Sequence, residues 1–388
     1  MPEAAVNEPG QLLPNLLPEG RDVSRLTCTV HQSLGSIVTD TLVKLGAHTV
    51  LVENARSVRQ RVRARPWFFP GDSVDFEGVP TEIFRTTVTR ESVSTVVEAL
   101  CEALQLQNPG RGSVYVQDLV EYSEMPVPEI QAATEGDLQY TFGDLVLLTG
   151  ILSRAGGGET LARSALKLGA CVPVVTRGTG TGIRDQLGLL RITIPPEKEF
   201  VHLMVSAHDA VGIQRLLVEE ARMDRPGGGF LYQTPIRMGV LDPLLRIGRQ
   251  QHAASMEQLI AAMDELKHGT HWRKRFADVD DKRGATPRSS RQNHREVTFI
   301  CSEGHADAYV RAALDVWPGG ATTARLRCLS ASVTEGGMGA RERGVLCMPT
   351  GRLEDVLTVL FAAAAKLKDA LFRVQVLDAP RVFSHQKR

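Results

Sequence analysis

The segments DTLVKLGAHTVLV (residues 40–52) and RSALKLGACVPVV (residues 163–175) carry the same tetrapeptide, Lys-Leu-Gly-Ala, between an amphipathic run and a β-branched one. Glycine adopts left-handed backbone angles without strain, so Gly46 and Gly169 read as helix stops that release the chain into a strand. A second echo follows in phase: NPGRGSVYVQDL (108–119) and RPGGGFLYQTPI (225–236) both place proline and glycines before a strand containing an aromatic residue. Self-similarity at a fixed spacing is the signature of a repeated supersecondary unit.

Between the echoes the two copies fill the same slots. RLTCTVH, SLGSIVTDTLVKLG, HTVLVE, TEIFRTTV, ESVSTVVEALCEALQLQ and SVYVQDLVEY read as strand, helix, strand, strand, helix, strand. LVLLTGIL, GETLARSALKLG, CVPVVTR, FVHLMVSA, DAVGIQRLLVEEAR and GFLYQTPIRMGV repeat that order, and a diverged third copy runs from EVTFICSE to ALFRVQVLDAPRV. Its second helix has Leu353, Val356, Leu357, Leu360 and Phe361 on one helical stripe. The βαββαβ order is ferredoxin-like. The fold expected is therefore α+β, with three tandem ferredoxin-like domains. They divide as a tail 1–22, repeats 23–125, 143–242 and 296–388, a linker 126–142, and a helix with basic linker 243–295.

At 388 residues, with 43% hydrophobic and 23% charged, the composition is that of a globular chain with several cores. Lys plus Arg and Asp plus Glu balance at 45 each, so no global field favours nucleic acid or a membrane surface. The six cysteines are scattered without C-x-x-C spacing, which argues against a metal or redox centre. With no signal-like start and no long apolar run, the expectation is a reduced, cytoplasmic location without membrane insertion.

Directly behind the apolar run at 172–175 comes RGTGTGIRD (177–185). Backbone N–H groups turned inward make an anion nest, and glycine permits the backbone that a nest needs. Gly178, Thr179, Gly180, Thr181 and Gly182, with Arg184 as a forked donor, are thus candidate ligand residues; a mobile loop root is the alternative. No Gly-Lys-Ser/Thr follows, so this is not a Walker loop. In residues 55–78, Arg56, Arg59, Arg61, Arg63 and Arg65 precede Trp67, Phe68 and Phe69. Arginine and tryptophan anchor interfaces, which makes Arg61, Arg63, Arg65, Trp67 and Phe68 a candidate partner-docking surface, with packing on a neighbouring copy or base stacking as rivals. The histidines show no metal-binding spacing, and no nucleophile elbow is present. The expectation is a non-enzyme.

The βαββαβ repeat, the glycine-bearing loop after its second strand and the P-G-x-G turn before its fourth resemble the PII signal-transduction family. The resemblance is closest over 143–240, good in pattern over 25–122 and architectural over 296–388. It implies ferredoxin-like units in threefold arrangement, closed here within one chain as a monomeric pseudo-trimer. It also implies an effector cleft formed by the base of the T-loop, Arg177 to Glu199, and a B-loop, Pro226 with Gly227, Gly228 and Gly229. The B-loop lysine of the family is missing, since Phe230 and Ser113 stand there. That favours a small effector, ADP, AMP or bicarbonate, over classical ATP and 2-oxoglutarate sensing. No cofactor is implied. The implied role is regulation of a transporter or metabolic enzyme of nitrogen or inorganic-carbon uptake. An enzyme on ferredoxin-like repeats and a non-sensing scaffold are the alternative classes.

Overall fold

The computed structural model describes residues 17–47, 49–63, 73–108, 110–128, 130, 141–153, 156–168, 171–182, 197–225, 227–242, 262–263, 265–266, 268–269, 290–330 and 339–384. In chain order the elements are β1 (Gly20–His31), α1 (Gly35–Lys44), β2 (Thr49–Arg63), β3 (Ser73–Val88), α2 (Val93–Leu104) and β4 (Ser113–Tyr122). Next come β5 (Leu145–Leu152), α3 (Gly157–Lys167), β6 (Val174–Gly182), β7 (Glu197–Ser206), α4 (Ala210–Glu220), β8 (Phe230–Ile236) and the short β9 (Met238–Val240). The last are β10 (Ser290–Ser302), α5 (Ala306–Val316), β11 (Gly320–Ser330), β12 (Gly339–Pro349), α6 (Leu353–Leu367) and β13 (Arg373–Ser384).

Local chemistry sets the boundaries. Gly46 follows α1 at φ +85°, in the left-handed region that releases the chain from a helix. The stripe on α6 buries Val356, Leu357, Leu360 and Phe361 against Val297, Phe299 and Phe372. The Phe372 ring stacks on Tyr309 of α5 at 4.3 Å. No helix among the described residues is long and apolar enough to cross a membrane.

The strands do not separate into three sheets. All thirteen belong to one antiparallel sheet. From β4 the pairing runs through β1, β3, β2, β11, β6, β7, β5 and β8 to β13, which pairs back onto β4 and closes a ten-strand barrel. β12 and β10 bridge from β11 to β13, and β9 is added to β4. This corrects the expected fold: the chain forms one closed barrel with helices packed on it, rather than three tandem ferredoxin-like PII-like domains docked as a pseudo-trimer. The physical reason lies in the edges. A lone βαββαβ sheet leaves two strands with unpaired N–H and C=O groups, whereas closure pairs them. Here β11 takes Thr49–Val52 of β2 on one stretch and Thr179–Gly182 of β6 on another.

Closure buries both faces of the strands, and the two faces differ. On β1, Leu26, Cys28 and Val30 pack under α1 and α2, while the alternate Arg25, Thr27 and Thr29 are buried on the other side. On β10 and β13, Val297, Phe299, Val374 and Val376 join the helix-side core, whereas Glu296, Thr298, Arg373 and Gln375 are buried opposite. These inward residues meet across the barrel. Glu53 accepts from Arg85 at 2.6 Å and Arg343 at 3.1 Å, and Glu296 from Arg25 at 3.2 Å. Gln375 donates to Glu121 at 2.8 Å and to Thr87 at 2.9 Å.

Candidate functional site

The glycine-rich stretch read as a ligand loop is strand. Gly178 and Thr179 pair with Lys198 and Glu197 of β7; on the other side Thr179, Gly180, Thr181 and Gly182 pair with Thr323, Thr322, Ala321 and Gly320 of β11. The residues have a packing reason to be small. A Cβ on Gly178 would lie 2.6 Å from the Thr323 carbonyl oxygen, and one on Gly180 would strike the Lys198 side chain, 2.1 Å from Cε. The Lys198 ammonium reaches over to donate to Ser153 Oγ at 3.0 Å. Arg184 lies outside the described residues. The turn before β8 is glycine-rich for steric reasons as well. Gly227 and Gly229 have φ of +77° and +136°, and Cβ atoms on Gly228 and Gly229 would sit 2.7 Å from the carbonyl oxygens of Arg222 and Ile151. Of the docking residues, Arg61 and Arg63 end β2 opposite Asp75 and Ser73 of β3, and Arg65, Trp67 and Phe68 lie outside the described residues.

A built oxyanion cradle lies instead further back on β2. Arg59 extends Nη2 to the carbonyl oxygen of Gly110 at 3.3 Å and to Oδ2 of Asp242 at 3.1 Å. The Gly110 N–H, turned inward by φ of +81°, donates to Oδ1 of the same carboxylate at 2.8 Å. One guanidinium and one backbone N–H thus address the two oxygens of a single carboxylate, the arrangement that also suits a phosphate or bicarbonate. Thr29, His31 and Ser57 line the adjoining cleft, with Val172 and Val174 from the middle third of the chain. Asp242 arrives because β9 is tied to β4 through Val240 and Val114, placing Leu241 in a core and Asp242 beside the turn.

The electrostatics of Asp242 are unfavourable to it. Burial raises its carboxyl above the usual range, and the opposing pull of Arg59 and the Gly110 N–H does not cancel that. The cradle is held tightly from behind: Gly112, at φ of +129°, presses on Thr29, whose carbonyl oxygen would lie 2.2 Å from a Cβ. Gly112→Ala should therefore destabilise the fold by about 1–3 kcal/mol through backbone strain, with further loss from the clash. Urea titration checks this, and an unchanged midpoint would show the turn to be tolerant.

Elsewhere the internal carboxylates are consumed structurally. Glu199 accepts from the Gly158 N–H of α3 at 2.8 Å and from Arg56 at 2.9 Å. Glu342 accepts from Gly304 and Ala306 at the start of α5, at 3.0 and 2.9 Å. Glu82 pairs with Arg327, stitching β3 to β11.

The arginine run of residues 56–65 singles out Arg59, but its partners are not legible in the linear order. Asp242 sat at the very end of the middle repeat, and nothing in the linear order links it to Gly110. The signal in the sequence is the glycine turn of NPGRG, whose Gly110 and Gly112 are both left-handed in the structure.

No family model matches the chain, and no curated protein matches it. Among solved structures, the complex of B. subtilis GlnK with ATP is matched at 15% identity and a TM-score of 0.23, over 26% of this chain and 88% of that one. B. subtilis GlnK without a named ligand is matched at 14% identity and a TM-score of 0.22, over 26% of this chain and 90% of that one. Both likenesses stop at about a quarter of this chain, so the functional reading rests on the geometry of the cradle.

Proposed function

We propose that the protein is a non-catalytic regulatory protein that takes an anionic small effector at the Arg59–Gly110 cradle and reports its occupancy to a partner protein. The observation that carries this reading is Asp242, a buried carboxylate held by two donors in the place of an effector's oxyanion. It stands in for the phosphate of an adenine nucleotide, ADP, AMP or ATP, or for bicarbonate. Because effector and Asp242 compete for the same donors, the effector binds only the state in which Asp242 has left. Differential affinity of that kind is what lets a ligand shift a conformational equilibrium. Asp242, two residues beyond the end of β9, then takes one position with effector and another without it.

The partner reading keeps the docking surface at Arg61, Arg63, Arg65, Trp67 and Phe68. Arg61 and Arg63 continue the strand that carries Arg59, so cradle and surface are joined by one β-strand. A transporter or metabolic enzyme of nitrogen or inorganic-carbon uptake is the regulated class.

Calorimetric titration of ATP, ADP, AMP and bicarbonate tests the site. Binding of at least one should be lost in Arg59→Met and tightened roughly tenfold in Asp242→Ala, as removal of an internal competitor worth about 1.4 kcal/mol requires. Absence of heat with all four, in both the wild type and Asp242→Ala, would sink the reading. Binding lost in Arg184→Ala but retained in Arg59→Met would move the site to the middle third of the chain.

A further inference from the structure

The barrel interior contains a second, independent feature. A cavity of about 10 Å³ is walled by Arg25, Arg85, Arg343 and Arg373, with Thr298 and Gln375 among the other lining residues and no carboxylate in its wall. That space admits one water-sized body, which excludes a nucleotide, a phosphate or a carboxylic acid. All four arginines are buried, at 6–7% exposure.

The charges around it do not balance. Arg85 and Arg343 share Glu53, and Arg25 is paired with Glu296. Glu121 is the third buried carboxylate nearby, taken by Gln375 and Thr87. Four guanidiniums against three carboxylates leave one positive charge in excess. Arg373 is in no ion pair among the described residues, and the Nε atoms of Arg25, Arg343 and Arg373 are all buried without a partner. An unpaired buried charge is strongly unfavourable, and a water molecule supplies an acceptor but no compensating charge. His202 reports the same field. Burial first, then Arg85 and Arg343, hold its imidazole near pKa 3.

We infer that this cavity is a binding site for one halide-sized inorganic anion, of the chloride class, held by Arg373 with Arg25 and Arg343, whose Nε–H groups have no other acceptor. The anion completes the charge of the barrel interior and locks β13, which carries Arg373, against β1 and β12, which carry Arg25 and Arg343. The site differs from the Arg59 cradle in location, size and ligand, so either can fail without the other.

The test is thermal unfolding of the full chain in sodium chloride and in sodium gluconate at equal ionic strength. Gluconate carries the same charge but is too large for the cavity. The transition should lie higher in chloride and rise by about 2 °C for each further tenfold of chloride above the dissociation constant. Arg373→Met should abolish the difference between the two salts. In gluconate it should unfold no earlier than the wild type, because the surplus charge is gone. Should Arg373→Met fail to fold, bromide soaked into wild-type crystals decides: one anomalous peak within hydrogen-bond distance of Arg373 is expected. Equal transitions of the wild type in the two salts, an undiminished chloride effect in Arg373→Met, or a bromide-free cavity would each overturn the inference.

Discussion

Glu53→Gln should cost the fold about 3–5 kcal/mol, the loss typical of removing one member of a buried ionic group. Glu53 sits between two guanidiniums, Arg85 from the neighbouring β3 and Arg343 from β12. Burial alone would raise its carboxyl, but Arg343 and Arg85 together hold it down at about 2. The amide keeps the shape and discards the charge, so both arginines are left buried against a neutral group. Arg343 still approaches the Phe200 ring at 5.4 Å, a contact worth about 1–2 kcal/mol when desolvated, which is too little to replace the lost carboxylate. The control is a triple variant, Glu53→Gln with Arg85→Met and Arg343→Met, which removes the stranded charges and should recover most of the loss. Guanidinium titration reads both. A single variant within about 1 kcal/mol of wild type would show that water enters and solvates the arginines.

Acidification should weaken the protein well before its surface carboxylates titrate, and His202 is the cause. Burial, followed by Arg85 and Arg343, lowers its pKa to about 3, while its ordinary value is 6.5; Glu53 opposes the shift but does not reverse it. Its Nδ1 lies 3.4 Å from Thr149 Oγ1, and its Nε2 is buried without a partner. Between pH 6.5 and 3 the unfolded chain binds a proton that the folded chain refuses, so stability falls as pH falls. The slope approaches about 1.4 kcal/mol per pH unit, or about 2 kcal/mol by pH 5. Glu53 adds a second loss lower down. Its depressed carboxyl stabilises the fold fully above pH 4.5, and that contribution disappears between 4.5 and about 2. His202→Gln should flatten the decline between pH 6.5 and 5 and leave the lower one in place. An unaltered profile in that variant would remove His202 as the sensor of acid.

The local structure was legible where short-range chemistry decides it. The KLGA tetrapeptide marked a helix end that the left-handed Gly46 provides, and the apolar stripe on 353–361 marked α6. What the sequence did not disclose was the partner of each edge strand. Pairing of Arg327–Ser330 with Thr49–Val52 joins residues far apart in the chain, and no local propensity encodes it. The same blindness explains the glycines of 178–182. In isolation Gly-Thr-Gly-Thr-Gly resembles a nest, but threonine is β-branched and the glycines make room for Phe200, Lys198 and β11. The buried arginines were hidden for a related reason. Alternating polar residues such as Arg25, Thr27 and Thr29 look like the solvated face of a half-exposed strand, and only closure turns that face inward.

The strand β11 has a final consequence. It holds β12 along most of its length and lends its opposite flank first to β6 and then to β2. The beginning, middle and end of the polypeptide therefore share one hydrogen-bonded seam. None of the thirds can leave the barrel without baring strand edges on the other two. A nascent chain must hold its first two thirds with incomplete ladders until β11 and then β13 emerge, so synthesis of the last third is the step that converts an aggregation-prone intermediate into a protected fold.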